Sequence, residues 1–363
     1  MDGEVWRCPF NKNHEISIRD KSYFSRTKTS IQDVLLFVIS YIEGNSLHLS
    51  AQKAGIQYKS TAVDWASYVR EIAVEYVYCS VLGFNTGDPL IFRDHVEIDE
   101  SLFGRKRKYN RGASRGHQIW IVGLVERSTN RIILYPVDSR DSNTLISIIT
   151  RHVEVGTHIY TDGWAGYSTL NSLGYKHFTV EHKTSFSQSY KDTVTGEIVS
   201  VNTNRIEGAW KHAKAHLRQI NGTKINNFES HLCWIMYKNH ISNTNRYTSF
   251  FDLVRKVYTL DTIPTYSYTS PLFDTWSIQS TESSEEDTQY VSITRVDSSG
   301  SESDERVLPS LLNGPIPTNI TVRDQGNCKL FANIYKVVHP LYYYNQFQTY
   351  SFLYCRTQHT KST

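Results

Sequence analysis

Three carboxylates, Asp99, Asp162 and Glu207, are spaced so that each arrives from a different secondary-structure element. Asp99 closes the alternating run His95-Val96-Glu97-Ile98-Asp99, Asp162 closes the run from Thr157, and Glu207 opens the helical pattern that starts at Asn204. Strand ends and a helix start can meet at one sheet edge, where three like charges repel unless a cation lies between them. Hard oxygen ligands with room for water suit Mg²⁺ or Mn²⁺. Two such ions about 3.5–4 Å apart can activate a water or 3′-hydroxyl and stabilise the leaving oxygen of a phosphodiester. That chemistry is phosphoryl transfer without a covalent enzyme intermediate. Each acid also has a structural alternative. A strand-end Asp often serves a turn or cap, and Glu207, three residues after Asn204, fits a capping box.

Cations stand beside these acids. Arg105, Lys106, Arg107, Lys108, Arg111 and Arg115 follow the first acidic strand with no acid among them. The run suits a DNA backbone, and equally a nuclear localisation signal or a solvated loop. Positions 207, 211, 214 and 218 share one face of a helix. That face carries Glu207, Lys211, Lys214 and Arg218, which suits phosphate, although a solvated surface would look the same.

The elements that must position these groups can be read from periodicity. Ile31, Val34, Leu35, Val38, Ile39 and Ile42 predict a helix stopped at Gly44. A short helix over 50–54, a turn at Gly55 and a third helix over 60–77 complete the order of a helix-turn-helix, or of an ordinary three-helix unit. From residue 94 the period falls to two. Strands are expected over 95–99, 118–125, 131–137, 157–162 and 175–180, with helices near Leu145–Ile149, over 165–173 and over 204–220. The last has an apolar stripe of Ile206, Trp210, Ala213, Leu217 and Ile220. The sum is an α/β arrangement, a mixed sheet with flanking helices after a small all-α region.

A net charge of +3 over 363 residues does not by itself mark a nucleic-acid binder; the clustering of cations does more. The cysteines, Cys8, Cys79, Cys233, Cys328 and Cys355, are far apart with no Cys-x-x-Cys spacing, against a disulfide framework or an intact zinc site. No secretory signal and no membrane-length apolar run is visible, so an intracellular protein is expected.

Four stretches taken together carry a family resemblance: VEIDESLFGRKRKYNRG (96–112), YTDGWAGY (160–167), VEHKTSF (180–186) and NTNRIEGAWKHAK (202–214). In this order and spacing they resemble the DDE domain of Merlin-type transposases and their insertion-sequence, ISXO-like relatives. The resemblance spans about residues 96–240, and the chain before it also looks like the N-terminal part of such proteins. It implies an RNase H-like fold, catalytic and metal-binding roles for Asp99, Asp162 and Glu207, and a place for Lys214 near the scissile phosphate. It further implies Mg²⁺ or Mn²⁺, two ions in number, double-stranded DNA as partner, a homo-oligomer at paired ends, and a nuclear location in a eukaryote.

The domains then expected are a degenerate segment over 1–29, a helix-turn-helix DNA-binding region over 30–80 and an RNase H-like domain over 92–242. A flank over 243–280, an acidic Ser-rich disordered linker over 281–306 and an aromatic tail over 307–363 follow. The chain departs from the family at the N-terminal zinc ribbon, of which only Cys8 remains, with His14 nearby, so no zinc is expected. It also has Asn202 and Glu181 where relatives carry His and Asn. The expected function is DNA strand cleavage and transfer at transposon ends. The alternatives are a transposase-derived DNA-binding protein without catalysis, and a nuclease of the same fold.

Overall fold

In this computed structural model, residues 5–8, 10, 15–17, 19–20, 22–25, 27–83, 87–104, 118–180, 188–191, 196, 198–241, 245–258 and 290–291 are described. The basic run from Arg105 to Arg115, His14, Glu181, the 307–363 tail and nearly all of the acidic linker lie outside them.

Near the N-terminus a short hairpin pairs β1 (Val5–Arg7) with β2 (Glu15–Ser17), where the sequence suggested only irregular chain. Three helices follow: α1 (Ile31–Ile42), α2 (Leu47–Ala54) and α3 (Thr61–Tyr76). The Ser30 and Ser46 side chains accept the Asp33 and Leu49 backbone N–H groups and so fix where α1 and α2 begin. Helix α2 starts three residues earlier than its expected span and ends at Gly55, whose φ of +67° favours glycine.

The main sheet has the order β5-β4-β3-β6-β7. Its strands are β3 (Val96–Phe103), β4 (Ile119–Glu126), β5 (Ile132–Val137), β6 (His158–Thr161) and β7 (Lys176–Thr179). The first three form an antiparallel meander, and β3, β6 and β7 run parallel. This is the expected mixed sheet with flanking helices. The interior strand β4 is apolar almost without interruption because both of its faces are covered. Side chains alternate between faces, so Asp99 and Gly123 look to one side, and Glu100 and Tyr135 to the other. On the first side lie α5 (Asn204–Gln219) and α6 (Ile225–His240), and on the second α4 (Ser142–His152).

Several boundaries differ from expectation. Strand β3 continues four residues past Asp99, because Glu100 to Phe103 keep full register with Val122 to Ile119. Asp99 is therefore a mid-strand residue and does not end the strand. The expected helix over 165–173 is reduced to a 3₁₀ turn, Ala165–Tyr167, and further turns. Ser168, Thr169, Asn171 and Ser172 compete for local backbone groups, as the Ser172 hydroxyl does by donating to the Thr169 carbonyl. The polar stretch before α5 contains a hairpin of β8 (Gln188–Lys191) and β9 (Ile198–Val201).

Helix α6 and α7 (Arg246–Val257) were not expected. Helix α6 is buried on most sides: Phe228, Leu232, Cys233 and Met236 join the sheet core, while Trp234 and Tyr237 join a second core. That second core is built by α1, α2, α3 and α7 with Tyr23 and Phe24. Of the linker, only β11 (Tyr290–Val291) is described, paired antiparallel with β10 (Thr223–Lys224). Among the described residues no helix is long and apolar enough to cross a membrane.

Candidate active site

The parallel register of β3 and β6 sets Val96 beside Ile159 and Glu97 beside Tyr160. Continued by two residues it brings Asp162 level with Asp99, just where β6 has ended. Beyond that point β3 is paired, among the described residues, on its β4 side alone, so Asp99 stands beside the gap. Helix α5 lies across the same face, and Glu207 stands exposed in its first turns. The structure thus brings these three carboxylates into one electrostatic neighbourhood. Burial pushes the Asp99 carboxyl above the usual carboxylate range, and the charges of Asp162 and Glu207 push it further. The Trp210 indole N–H, 2.9 Å from Asp99 Oδ2, works the other way.

Glu207 does not close a capping box. The residue before the helix is Thr203, which makes no side-chain cap, and the helix start is satisfied from elsewhere. Glu97, fully buried two residues before Asp99 and on the same face, accepts the Arg205 and Ile206 backbone N–H groups at 2.8 and 3.1 Å. Its other oxygen accepts from Arg127 Nε at 2.7 Å. Arg127 also donates to the Ser200 and Asn202 carbonyls and lies 3.9 Å over the Tyr160 ring. One carboxylate therefore ties β3, β4, the β9 end and α5 together. A second tie is steric. Gly123, opposite Asp99 in register, lies so close under α5 that a Cβ there would stand 2.5 Å from Trp210.

On the other face, Glu100 accepts the Tyr167 hydroxyl and lies 3.8 Å from Arg140. Burial, then Asp162 and Asp99, raise its carboxyl, with Tyr167 and Arg140 opposing. The Arg140 guanidinium sits between two indoles, 3.7 Å from the Trp120 ring centre and 5.0 Å from that of Trp164.

Of the cations singled out from sequence, Lys211 and Arg218 are exposed on α5. Lys214 is half-buried, its Nζ 5.7 Å from the Phe103 ring, at the far end of β3 from Asp99. Arg105, Lys106, Arg107, Lys108, Arg111 and Arg115 fall outside the described residues, in the segment that joins paired Phe103 to Ile119. Sequence reasoning missed Glu97, Arg127, Glu100 and Arg140, and took Trp210 for stripe alone. The signal for Glu97 was present: strand alternation puts it on the face of Asp99, where a buried acid demands a cation and donors.

Among the described residues no three His, Cys, Asp or Glu side chains are gathered tightly enough to hold a metal ion as they stand. The donor chemistry fits a hard divalent cation nonetheless. Asp99 carries an opposed charge, Asp162 is level with it, and Glu207 makes no hydrogen bond to another described side chain.

Residues 91–231 match the ISXO2-like transposase domain. An uncharacterized transposase-like protein of Haemophilus influenzae is 31% identical over 96 residues, which cover 26% of this chain and 70% of that relative. A simian T-cell lymphotropic virus intasome, solved with the PP2A regulatory subunit B56 gamma, aligns over 55% of this chain and 66% of its own, just under two thirds. At a TM-score of 0.26 and 11% identity that likeness carries no argument. The family match spans the strands and helix that carry all three carboxylates, and the chain belongs to the ISXO2-like transposase family.

Proposed function

We propose that this chain is a DDE-type transposase with an RNase H-like catalytic domain, which cleaves DNA at transposon ends and joins the freed 3′ end to a target. The observation that supports the reading is that Asp162, just past the end of β6, and Glu207, on α5, are both near enough for their charges to act on the part-buried Asp99. Two Mg²⁺ or Mn²⁺ ions bound there would supply Lewis acidity to an in-line phosphodiester displacement.

The chain's own residues would do the rest. Trp210 holds the Asp99 carboxylate through its indole N–H, and Glu97 holds the start of α5, the helix that carries Glu207, against the sheet face of Asp99. Lys211, Lys214 and Arg218 on α5, with the basic run Arg105 to Arg115, would take the DNA backbone. Helices α1 to α3 would act as a helix-turn-helix. Helix α3 is covered past its first turn, so base contacts would come from the α2–α3 turn and the first turn, near Lys53, Tyr58, Lys59 and Val63. Two copies would pair two transposon ends.

The test is nicking of supercoiled plasmid with Mg²⁺ or Mn²⁺. Wild type nicks; Asp99→Asn binds DNA equally and does not, since the asparagine oxygen can still accept from Trp210. An Asp99→Asn protein that cuts like wild type overturns the assignment. A wild type that binds and never cuts supports the non-catalytic alternative, and cutting without joining supports a nuclease.

A further inference from the structure

We propose that Trp164, backed by Arg140, is a stacking platform for an unpaired nucleobase beside the phosphate that is cut, a site resting on the phosphoryl-transfer reading above. Trp65, Trp210 and Trp234 are buried and Trp120 is half-buried, whereas Trp164 leaves 44% of its surface open. It follows Asp162 by two residues, which puts the two Cα atoms within about 7 Å. Phosphates along one strand of a duplex recur about every 3.4 Å along its axis, so a strand lying on Asp162 brings its next bases to this indole.

The ring is held in one orientation from several sides. Its backbone N–H donates to Asp162 Oδ1 at 3.0 Å, and its Nε1 donates to the Arg140 carbonyl at 3.2 Å. The Arg140 guanidinium is in turn seated on Trp120 and lies beside Glu100. Gly166 lets the indole come close, since a Cβ there would stand 2.9 Å from Trp164 Cδ1 and Nε1. An apolar ring fixed in the open loses little freedom when a flat partner settles on it.

The indole N–H is already engaged, so the platform offers a π face and no hydrogen-bonding code for base edges. It would accept any base, as stacking surfaces for single strands do. A base inside a duplex is stacked on both sides already, which selects for strand opened at the cut.

The test measures binding in EDTA, so that nothing is cut. The probes are labelled dT12, a 12-residue strand of abasic sugar-phosphate, and a 30-base-pair duplex. Wild type should prefer dT12 to the abasic strand by about 5- to 150-fold, the range a single stacked base gives on alanine substitution. Trp164→Ala should erase that preference and leave duplex affinity unchanged, while Trp164→Phe should retain most of it. Where the alanine variant fails to fold, Trp164→Leu, with bulk and no π face, decides on the same comparison. No wild-type preference, an unchanged preference in the alanine or leucine variant, or an equal loss on duplex overturns the proposal. Failure of the cleavage reading appears separately, as nicking by Asp99→Asn.

Discussion

Replacing Glu97 by alanine should be among the costliest single changes available near the site, and its cost can be worked from contacts. The carboxylate is fully buried and makes three hydrogen bonds, to Arg127 Nε and to two backbone N–H groups at the start of α5. Removing one member of a buried ion pair typically costs about 3–5 kcal/mol. Arg127 keeps the Ser200 and Asn202 carbonyls, which points to the lower end of that range. Loss of the helix cap adds about 1 kcal/mol, so about 4 kcal/mol is expected in all. Glu97→Gln keeps the shape and one acceptor oxygen but turns its NH₂ toward a donor, for about 1–3 kcal/mol. Urea unfolding followed by tryptophan fluorescence reads both as a lowered midpoint at constant slope. A double-mutant cycle with Arg127→Ala should show a coupling within about 0.5–3 kcal/mol, as expected of residues in contact. A cost below 1 kcal/mol for the alanine variant, together with additive double mutants, would refute the reasoning.

Two further outcomes follow from the packing around that clamp. Gly123→Ala places a methyl 2.5–2.8 Å from Trp210 and Ile206, so α5 must lift, at a cost of about 1–3 kcal/mol; a Tm equal to wild type would contradict it. Burial holds His152 and His240 at a pKa of about 4, below the usual 6.5. The unfolded chain therefore takes up these protons first, and the stability present above pH 6.5 is lost as the pH falls toward 4. Two such groups give a slope of about 2–3 kcal/mol per pH unit in the middle of that window, and a urea midpoint unchanged from pH 7 to pH 5 would count against it.

The helices legible in the sequence were those with one wet face. Helices α1, α3 and α5 show a stripe at helical spacing, and the β4–β5 pair shows long apolar runs flanking a turn. Helix α6 has no stripe, because Phe228, Leu232 and Met236 face the sheet while Trp234 and Tyr237 face the other helices. A helix apolar all round offers no period to read. Helix α7 was readable in principle, since Phe250, Phe251 and Val254 stand at helical spacing after the Asn245 cap. At the site, residue type and element raised Asp99, Asp162 and Glu207 as candidates, and the four-motif resemblance supplied their expected roles. What holds them was legible only in part: alternation puts Glu97 on the face of Asp99, but its partner Arg127 is thirty residues away in sequence and contiguous only through sheet register.

Helices α3 and α6 each belong to both cores, so the three-helix unit and the sheet have no joint between them at which to bend. At about 1.5 Å per residue, the 16 residues of α3 make a rigid bar about 24 Å long, open at its first turn and sunk in the sheet core at its last. If that first turn touches DNA as proposed, the bar works as a ruler. The cut should then fall at a constant offset from the bases read, whatever their sequence, and a residue inserted within α3 should rotate the reading head before it changes the distance.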